Sequence, residues 1–202
     1  MFAQVIQGRV AKPAVLRELL DRWVDELSPG ATGWLGSTVG VTDDGRLIGI
    51  ARFESEALAR RNSERPEQHE WWTEASKLLR GEAVFHDCAD FTQLLRGGSD
   101  DATFVQMIQG RVLDVDLVHA VLDRSEPMLT EFRPDLIGVT FALHGDGGFT
   151  EAAYFTSEAE ARAGERKEPS GEMKDLFEQE RALLTQLEYF DLRDPWLYSP
   201  RV

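Results

Sequence analysis

The order of apolar and polar residues predicts a strand, a helix and a hairpin at the start of the chain. Residues 2–10 alternate in polarity, which predicts a strand. Residues 13–27 place their apolar side chains on one helical face. Residues 34–42 and 46–53 are typical of two strands, and Asp43-Asp44-Gly45 is the hairpin turn between them.

Two further helical stretches and a last strand complete this first part of the pattern. The helices are expected at 55–62 and about 67–79, and the strand at 83–90. The resulting order, β-α-β-β-α-β, is the ferredoxin-like arrangement. Its four-stranded antiparallel sheet carries helices on one face only, so something else must cover the other face.

The whole pattern occurs twice. Residues 2–10 read FAQVIQGRV and residues 104–112 read FVQMIQGRV, so seven of nine positions are identical at an offset of 102. The same offset pairs Gly36 with Gly138, and near Pro66 the register slips by three residues. Such dense identity at one offset indicates a tandem duplication.

The duplication predicts an α+β fold of two ferredoxin-like units, at residues 1–96 and 102–202. The segment Arg96-Gly97-Gly98-Ser99-Asp100-Asp101 has the composition of a flexible linker. The second unit is the obvious cover for the helix-free sheet face of the first. We therefore expect the units to pack sheet to sheet as an intramolecular pseudo-dimeric barrel with room for a ligand, either as a monomer or as a homodimer.

Composition excludes several classes of partner. The net charge is −14, whereas binding to phosphate backbones requires clustered Lys and Arg, so no nucleic acid is expected. No apolar run approaches the roughly 18 residues that span a bilayer, and the N-terminus has no signal pattern, so no membrane is expected. The single cysteine, Cys88, excludes an internal disulfide framework and favours a cytoplasmic location.

The helical segment after the first hairpin is the strongest candidate for a binding site. It brings Asn62, Arg65, Trp71 and Trp72 close together, and these residue types hydrogen-bond and stack on planar oxygenated ligands. The second copy lacks them at 164–174, which predicts a pocket nearer the first segment. The alternative is that the Trp pair packs the helix against the sheet, since buried aromatic residues are more often core.

Two glutamines of the first strand are further candidates for ligand binding. Gln4 and Gln7 recur as Gln106 and Gln109 in the second copy. Recurrence favours a structural role, because a ligand needs only one set, and ligand binding is the alternative. The alternation places Gln4 and Gln7 on opposite faces of the strand without showing which face lines the barrel.

His69 is the candidate catalytic base, because an imidazole titrates near neutral pH. His86 and Cys88 share one strand face, where packing is favoured over a nucleophile pair. No metal is expected, because structural zinc takes four Cys or His ligands and this chain has one Cys and four scattered His. No Gly-rich turn joins a strand to a helix, so no nucleotide is expected either.

The duplicated element order, together with the first-strand sequence IQGRVAKP before an amphipathic helix, resembles the dimeric α+β barrel superfamily, particularly its antibiotic biosynthesis monooxygenase-like branch. The resemblance covers nearly the whole chain, twice. Members of that branch usually pair as homodimers, so this chain is similar to a fused pair. The branch includes cofactor-independent oxygenases of polyketide-like aromatics and haem-degrading enzymes.

The resemblance implies a small-molecule-binding protein that acts as a cofactor-independent monooxygenase on an aromatic or polyketide-like substrate. The alternatives are a non-catalytic ligand-binding or stress-associated module and a structural barrel without a pocket. The haem-degrading members place an Asn on the first strand, where this chain has Gln4 and Gln7, and they order the Trp and His of the long helix differently from His69, Trp71 and Trp72. Haem is therefore not expected, and we expect no cofactor.

Overall fold

A computed structural model describes residues 1–200 of the chain and divides it into two compact units. The first unit comprises Met1–Phe91 and the chain end from Asp194 onward, and the second comprises Thr92–Arg193. Each unit holds a five-stranded antiparallel sheet with helices. The predicted α+β fold of two ferredoxin-like units is thereby confirmed. No helix within residues 1–200 is long and apolar enough to cross a membrane.

The first unit follows the β-α-β-β-α-β order that the sequence predicts. Its elements are β1 (Phe2–Arg9), α1 (Pro13–Arg22) with a π-helical turn (Trp23–Leu27), β2 (Trp34–Val41), β3 (Arg46–Phe53), α2 (Glu56–Ser63), α3 (Pro66–Ser76) and β4 (Val84–Cys88). Helix α2 begins after Ser55, whose hydroxyl accepts a hydrogen bond from the Leu58 amide and so satisfies one of the free amides of the first turn.

The second unit repeats the same order after a strand that leads into it. Its elements are β5 (Asp90–Leu94), β6 (Phe104–Val112), α4 (Val115–Phe132), β7 (Leu136–Leu143), β8 (Gly148–Phe155), α5 (Glu158–Glu165), α6 (Gly171–Leu183) and β9 (Leu184–Leu192). The last strand among the described residues, β10 (Trp196–Tyr198), belongs to the first unit. The strands lie in the order β10-β2-β3-β1-β4 in the first sheet and β5-β7-β8-β6-β9 in the second.

Each sheet has a fifth strand in addition to the four strands of its repeat. This fifth strand lies next to the second strand of the repeat. Strand β10 pairs with β2, and the Tyr198 hydroxyl donates to Asp21 Oδ1 at 2.8 Å. Strand β5, which follows the first repeat, pairs with β7. The compact units therefore differ from the sequence repeats 1–96 and 102–202 by these two strands, because each strand joins the sheet of the other repeat.

The two faces of the first sheet have different surroundings. Gln4 and Ile6 lie on the face under the helices, where they line a pocket with residues of α2 and α3. Ala3 and Val5 lie on the helix-free face and are fully buried, as is Ile50 opposite Val5 on β3. Gln7 shares the helix-free face, so the two candidate glutamines of β1 cannot serve one site.

Candidate functional site

The first unit contains a pocket between its sheet and its helices. The cavity has a volume of about 100 Å³, close to the room that one aromatic ring needs. Its walls are mainly aromatic and apolar, with a few amide and hydroxyl groups. The residues that matter for the argument are Gln4, Trp23, Trp34, Asn62, Gln68 and Trp71.

Three tryptophans form the aromatic wall of this pocket. Trp23 lies edge-on to Trp34, with ring centroids 5.1 Å apart, and edge-on to Trp71 at 6.4 Å. Trp23 is the first residue of the π-helical turn that ends α1, and such turns are frequent at functional sites. The Trp71 indole donates to the Leu19 carbonyl at 3.0 Å, which fixes the ring against α1. The wall is therefore held rigidly before any ligand binds.

Two side-chain amides in the lining have their oxygen atoms already occupied. Arg65 donates from Nη1 to Asn62 Oδ1 at 2.9 Å and to the Leu27 carbonyl at 3.1 Å. The Trp23 indole donates to Gln68 Oε1 at 2.6 Å. Each amide therefore has its NH₂ group left as a donor, and within residues 1–200 neither NH₂ has a protein acceptor. This arrangement suits a ligand oxygen that accepts hydrogen bonds.

Most residues predicted from the segment after the hairpin take part in this arrangement. Asn62 is buried and lines the pocket, and Trp71 forms its wall. Arg65 acts indirectly, by holding the Asn62 oxygen. Trp72 packs between the helix and the sheet, with its ring centroid 5.1 Å from that of Phe85, so for this residue the packing alternative describes the contacts.

The recurring polar residues of the first strands have repeated structural partners. Gln4 donates to Asp87 Oδ1 at 2.9 Å, and Gln106 donates to Asp191 Oδ1 at the same distance. Both bonds join the first strand of a repeat to its last strand, at paired positions of the sheet. Gln4 also lines the pocket, where its amide oxygen remains an acceptor. Gln7, on the other face, does not.

His69 lies on the exposed side of α3 and does not line the pocket. We expect the substitution His69→Gln to leave ligand affinity and any oxidase activity within about twofold of the unsubstituted protein, because this side chain contacts neither the wall nor the amides. Fluorescence titration and oxygen uptake on the two proteins would measure it. A loss of tenfold or more in either quantity would restore His69 as a functional residue.

Sequence reasoning missed three residues of the pocket. Trp23 lies in the π-helical turn after α1, and Trp34 lies in β2. In such elements a tryptophan is usually interpreted as a core residue. Gln68 lies inside the candidate segment, but its role depends on the Trp23 indole, which is 45 residues away along the chain. No local pattern connects two such distant residues.

A larger cavity in the second unit counts against the prediction that the pocket lies nearer the first-copy segment. It has a volume of about 910 Å³, is open to the surface and is lined only by second-unit residues. Beneath it a further space of about 170 Å³ extends between the sheet and the helices. The first-copy tryptophans Trp71 and Trp72 correspond to Leu176 and Phe177 here, and these smaller side chains leave more room.

Two carboxyl groups face the space in the second unit. Glu151 on β8 and Glu180 on α6 line both the larger cavity and the smaller one beneath it. Burial, together with the nearby Glu180 carboxylate, raises the pKa of Glu151 to about 8, and burial raises the pKa of Glu180. The pair therefore retains a proton at neutral pH. Within residues 1–200 no cluster of His, Cys, Asp and Glu could hold a metal ion.

No family model matches the sequence, and no curated protein matches it. Solved structures do match. A Lactobacillus acidophilus protein named "putative monooxygenase" has a TM-score of 0.73 and 10% identity over 97% of this chain and 98% of its own. An anthrone oxidase-like protein has a TM-score of 0.62 and 12% identity over 100% of this chain and 91% of its own.

A third structure links the fold to a named group. It is a ferredoxin fold protein from Listeria monocytogenes that is related to antibiotic biosynthesis monooxygenases, with a TM-score of 0.51 and 11% identity over 100% of this chain and 96% of its own. Identities this low establish the fold and leave the activity open. The chain thus has, as a tandem duplication, the fold of these proteins, one of which is described as related to antibiotic biosynthesis monooxygenases.

Proposed function

We propose that the first unit binds an oxygenated aromatic molecule and that the protein oxidises it with molecular oxygen, as a cofactor-independent monooxygenase. The observation that carries the proposal is the pair of amide NH₂ groups, on Asn62 and Gln68, beside the tryptophan wall. One ring of the ligand would fill the enclosed part of the pocket among Trp23, Trp34 and Trp71, and any further ring would extend through the opening of the pocket. Its oxygen atom would accept hydrogen bonds from the two amides.

The amides would favour the ionised form of the substrate. A phenol or enol that loses its proton gains negative charge on oxygen, and fixed donors in a pocket shielded from water stabilise such an anion. The anion can pass one electron to oxygen. The two radicals recombine at a ring carbon, and the resulting peroxide takes up a proton from water. Loss of water then leaves C=O where the keto form of the substrate had a ring CH₂ group, so that one oxygen atom enters the product and the other leaves in water.

The names of similar proteins agree with this chemistry, since they include monooxygenases and an anthrone oxidase-like protein. A non-catalytic binding module is the second candidate. One observation favours it: no Asp, Glu, His, Lys or Arg lines the pocket within residues 1–200, so the proton of the substrate would have to leave to water.

Binding and turnover are measured separately to distinguish these two functions. We expect 1-naphthol to quench the tryptophan fluorescence of the pocket and to bind at least tenfold more tightly than naphthalene, which lacks the oxygen. With anthrone we expect oxygen uptake matched by formation of anthraquinone. Binding of 1-naphthol without oxygen uptake would identify a binding module, and equal affinity for naphthalene and 1-naphthol would contradict both functions.

A further inference from the structure

The second-unit cavity differs from its first-unit counterpart by two acidic residues that replace small ones. Glu151 corresponds to Gly49 at the offset of 102, and Glu180 corresponds to Ala75 at the offset of 105 that follows the slip. Both replacements fall in the same place, on a strand and a helix that face each other across one cavity. Two half-buried carboxyls that face each other are costly for the fold unless they serve a ligand.

Neither carboxyl has a hydrogen-bond partner or a cationic partner within residues 1–200. Both side chains are half-buried and line the cavity. No ion pair or hydrogen bond of the described chain involves Glu151 or Glu180. Carboxyl oxygens in such a place lack the protein partners that polar groups in folded proteins normally have. A bound ligand can supply one.

Most charged groups around the carboxyl pair are engaged elsewhere or exposed at the mouth of the cavity. Arg133 forms a 2.8 Å ion pair with Asp135, and Glu165 forms one of 2.7 Å with Arg162. On the rim, Lys174 pairs with Glu178, and Lys167 donates to the Phe132 carbonyl. Glu168, Arg181 and Tyr189 line the open mouth, where all three are exposed.

The remaining wall is aromatic and apolar. Phe132 and Phe177 meet edge to face, with ring centroids 5.7 Å apart, and Ile108 and Leu184 line the same space. Aromatic faces and carboxylates together attract organic cations, because the ring quadrupole and the carboxylate both favour positive charge. The apolar part of such a ligand, next to its cationic group, would contact the aromatic and apolar wall.

We propose that this second-unit cavity is a binding site for an organic cation, an amine on an aromatic or alkyl body, whose ammonium group lies between Glu151 and Glu180. The cation would replace the proton that the pair holds. Binding at neutral pH therefore releases a proton, and affinity rises with pH until the pair is fully ionised. The site is independent of the oxidation proposed for the first unit.

The test uses the full chain and three probes of one shape: phenethylamine, the neutral 2-phenylethanol and the anionic phenylacetate. Calorimetric titration at pH 7, in two buffers that differ in ionisation enthalpy, measures affinity and proton release. We expect phenethylamine to bind with a Kd below about 1 mM, at least tenfold more tightly than either other probe, and to release up to one proton per molecule.

Substitutions then locate the site. Glu151→Gln and Glu180→Gln keep the side-chain shape and should each weaken phenethylamine binding at least tenfold. Glu178→Gln, on the exposed rim of the same helix, should leave binding within twofold. Thermal melts confirm that each variant folds, and Glu151→Gln should melt no lower than the unsubstituted protein at pH 8, since it removes a half-buried charge.

Three outcomes would overturn the proposal. The first is no detectable binding of phenethylamine at 5 mM, and the second is tighter binding of phenylacetate than of the amine. The third is unchanged affinity in folded Glu151→Gln and Glu180→Gln proteins. Phenylacetate binding in particular would show that the protonated pair acts as a hydrogen-bond donor to anions.

Discussion

Replacing Gln68 by Met is expected to lower the rate of anthrone oxidation about a hundredfold. The substitution removes one of the two NH₂ donors while keeping most of the side-chain volume, and Met is the residue that the second copy has at this place, Met173. Loss of a single donor that stabilises an oxyanion typically costs about 10² to 10³ in kcat. Asn62→Leu removes the other donor and should have an effect of the same size. Oxygen uptake at saturating anthrone measures both.

Affinity for 1-naphthol separates a catalytic loss from a binding loss in these variants. If the amides stabilise mainly the anion, affinity should fall less than tenfold while kcat falls about a hundredfold. A matched control is Gln7→Met, which makes the same exchange on the helix-free face of β1 and should leave kcat unchanged. Equal effects of Gln68→Met and Gln7→Met would contradict the role of the amide pair.

Replacing Gly138 by Ala should destabilise the second unit by at least about 2–3 kcal/mol. A Cβ placed on Gly138 would lie 1.8 Å from the carbonyl oxygen of Gly97, in the segment that follows β5. Main-chain atoms cannot move aside as a flexible side chain can, so β5 would have to shift away from β7. Urea unfolding followed by circular dichroism measures the loss of free energy.

Gly145→Ala is the control for this substitution. Gly145 lies in the hairpin turn of the same unit, and a Cβ placed there meets nothing within 4 Å. We expect its unfolding free energy to stay within about 0.5 kcal/mol of the unsubstituted protein. Comparable losses for Gly138→Ala and Gly145→Ala would mean that the close approach of Gly97 does not limit the space at β7.

One glycine that recurs in both copies is explained only by the tertiary structure. Gly36 and Gly138 match at the offset of 102, and a Cβ on Gly36 would lie 2.6 Å from the carbonyl oxygen of Tyr198. In each unit the glycine therefore makes room for the chain of the fifth strand. The sequence shows that both copies keep a glycine, but it does not show that β5 and β10 are exchanged between the repeats.

The elements and their order could be predicted from the sequence because they depend on local periodicity. Residues 2–10, 34–42 and 46–53 were predicted as strands, and the structure has strands at Phe2–Arg9, Trp34–Val41 and Arg46–Phe53. Alternation and helical spacing report which face of an element is apolar. Because the sequence is duplicated, the same order of elements could be predicted for the second unit.

The sites depend on contacts that only the tertiary structure creates. Periodicity places Gln4 and Gln7 on opposite faces of β1, but the pocket beside Gln4 depends on helices that lie far from it in sequence. The sequence does contain one signal that was missed: Glu151 is the only charged residue of the strand GFTEAAYF.

The sequence by itself determined the tandem α+β architecture, because this architecture depends on short-range patterns and on one long repeat. What the tertiary structure decided is which polar groups meet. Gln68 receives its hydrogen bond from Trp23, and Glu151 faces Glu180, across 45 and 29 residues respectively. Such pairs form only when separate elements pack, because hydrogen bonds and charge interactions act over a few ångströms whatever the distance along the chain.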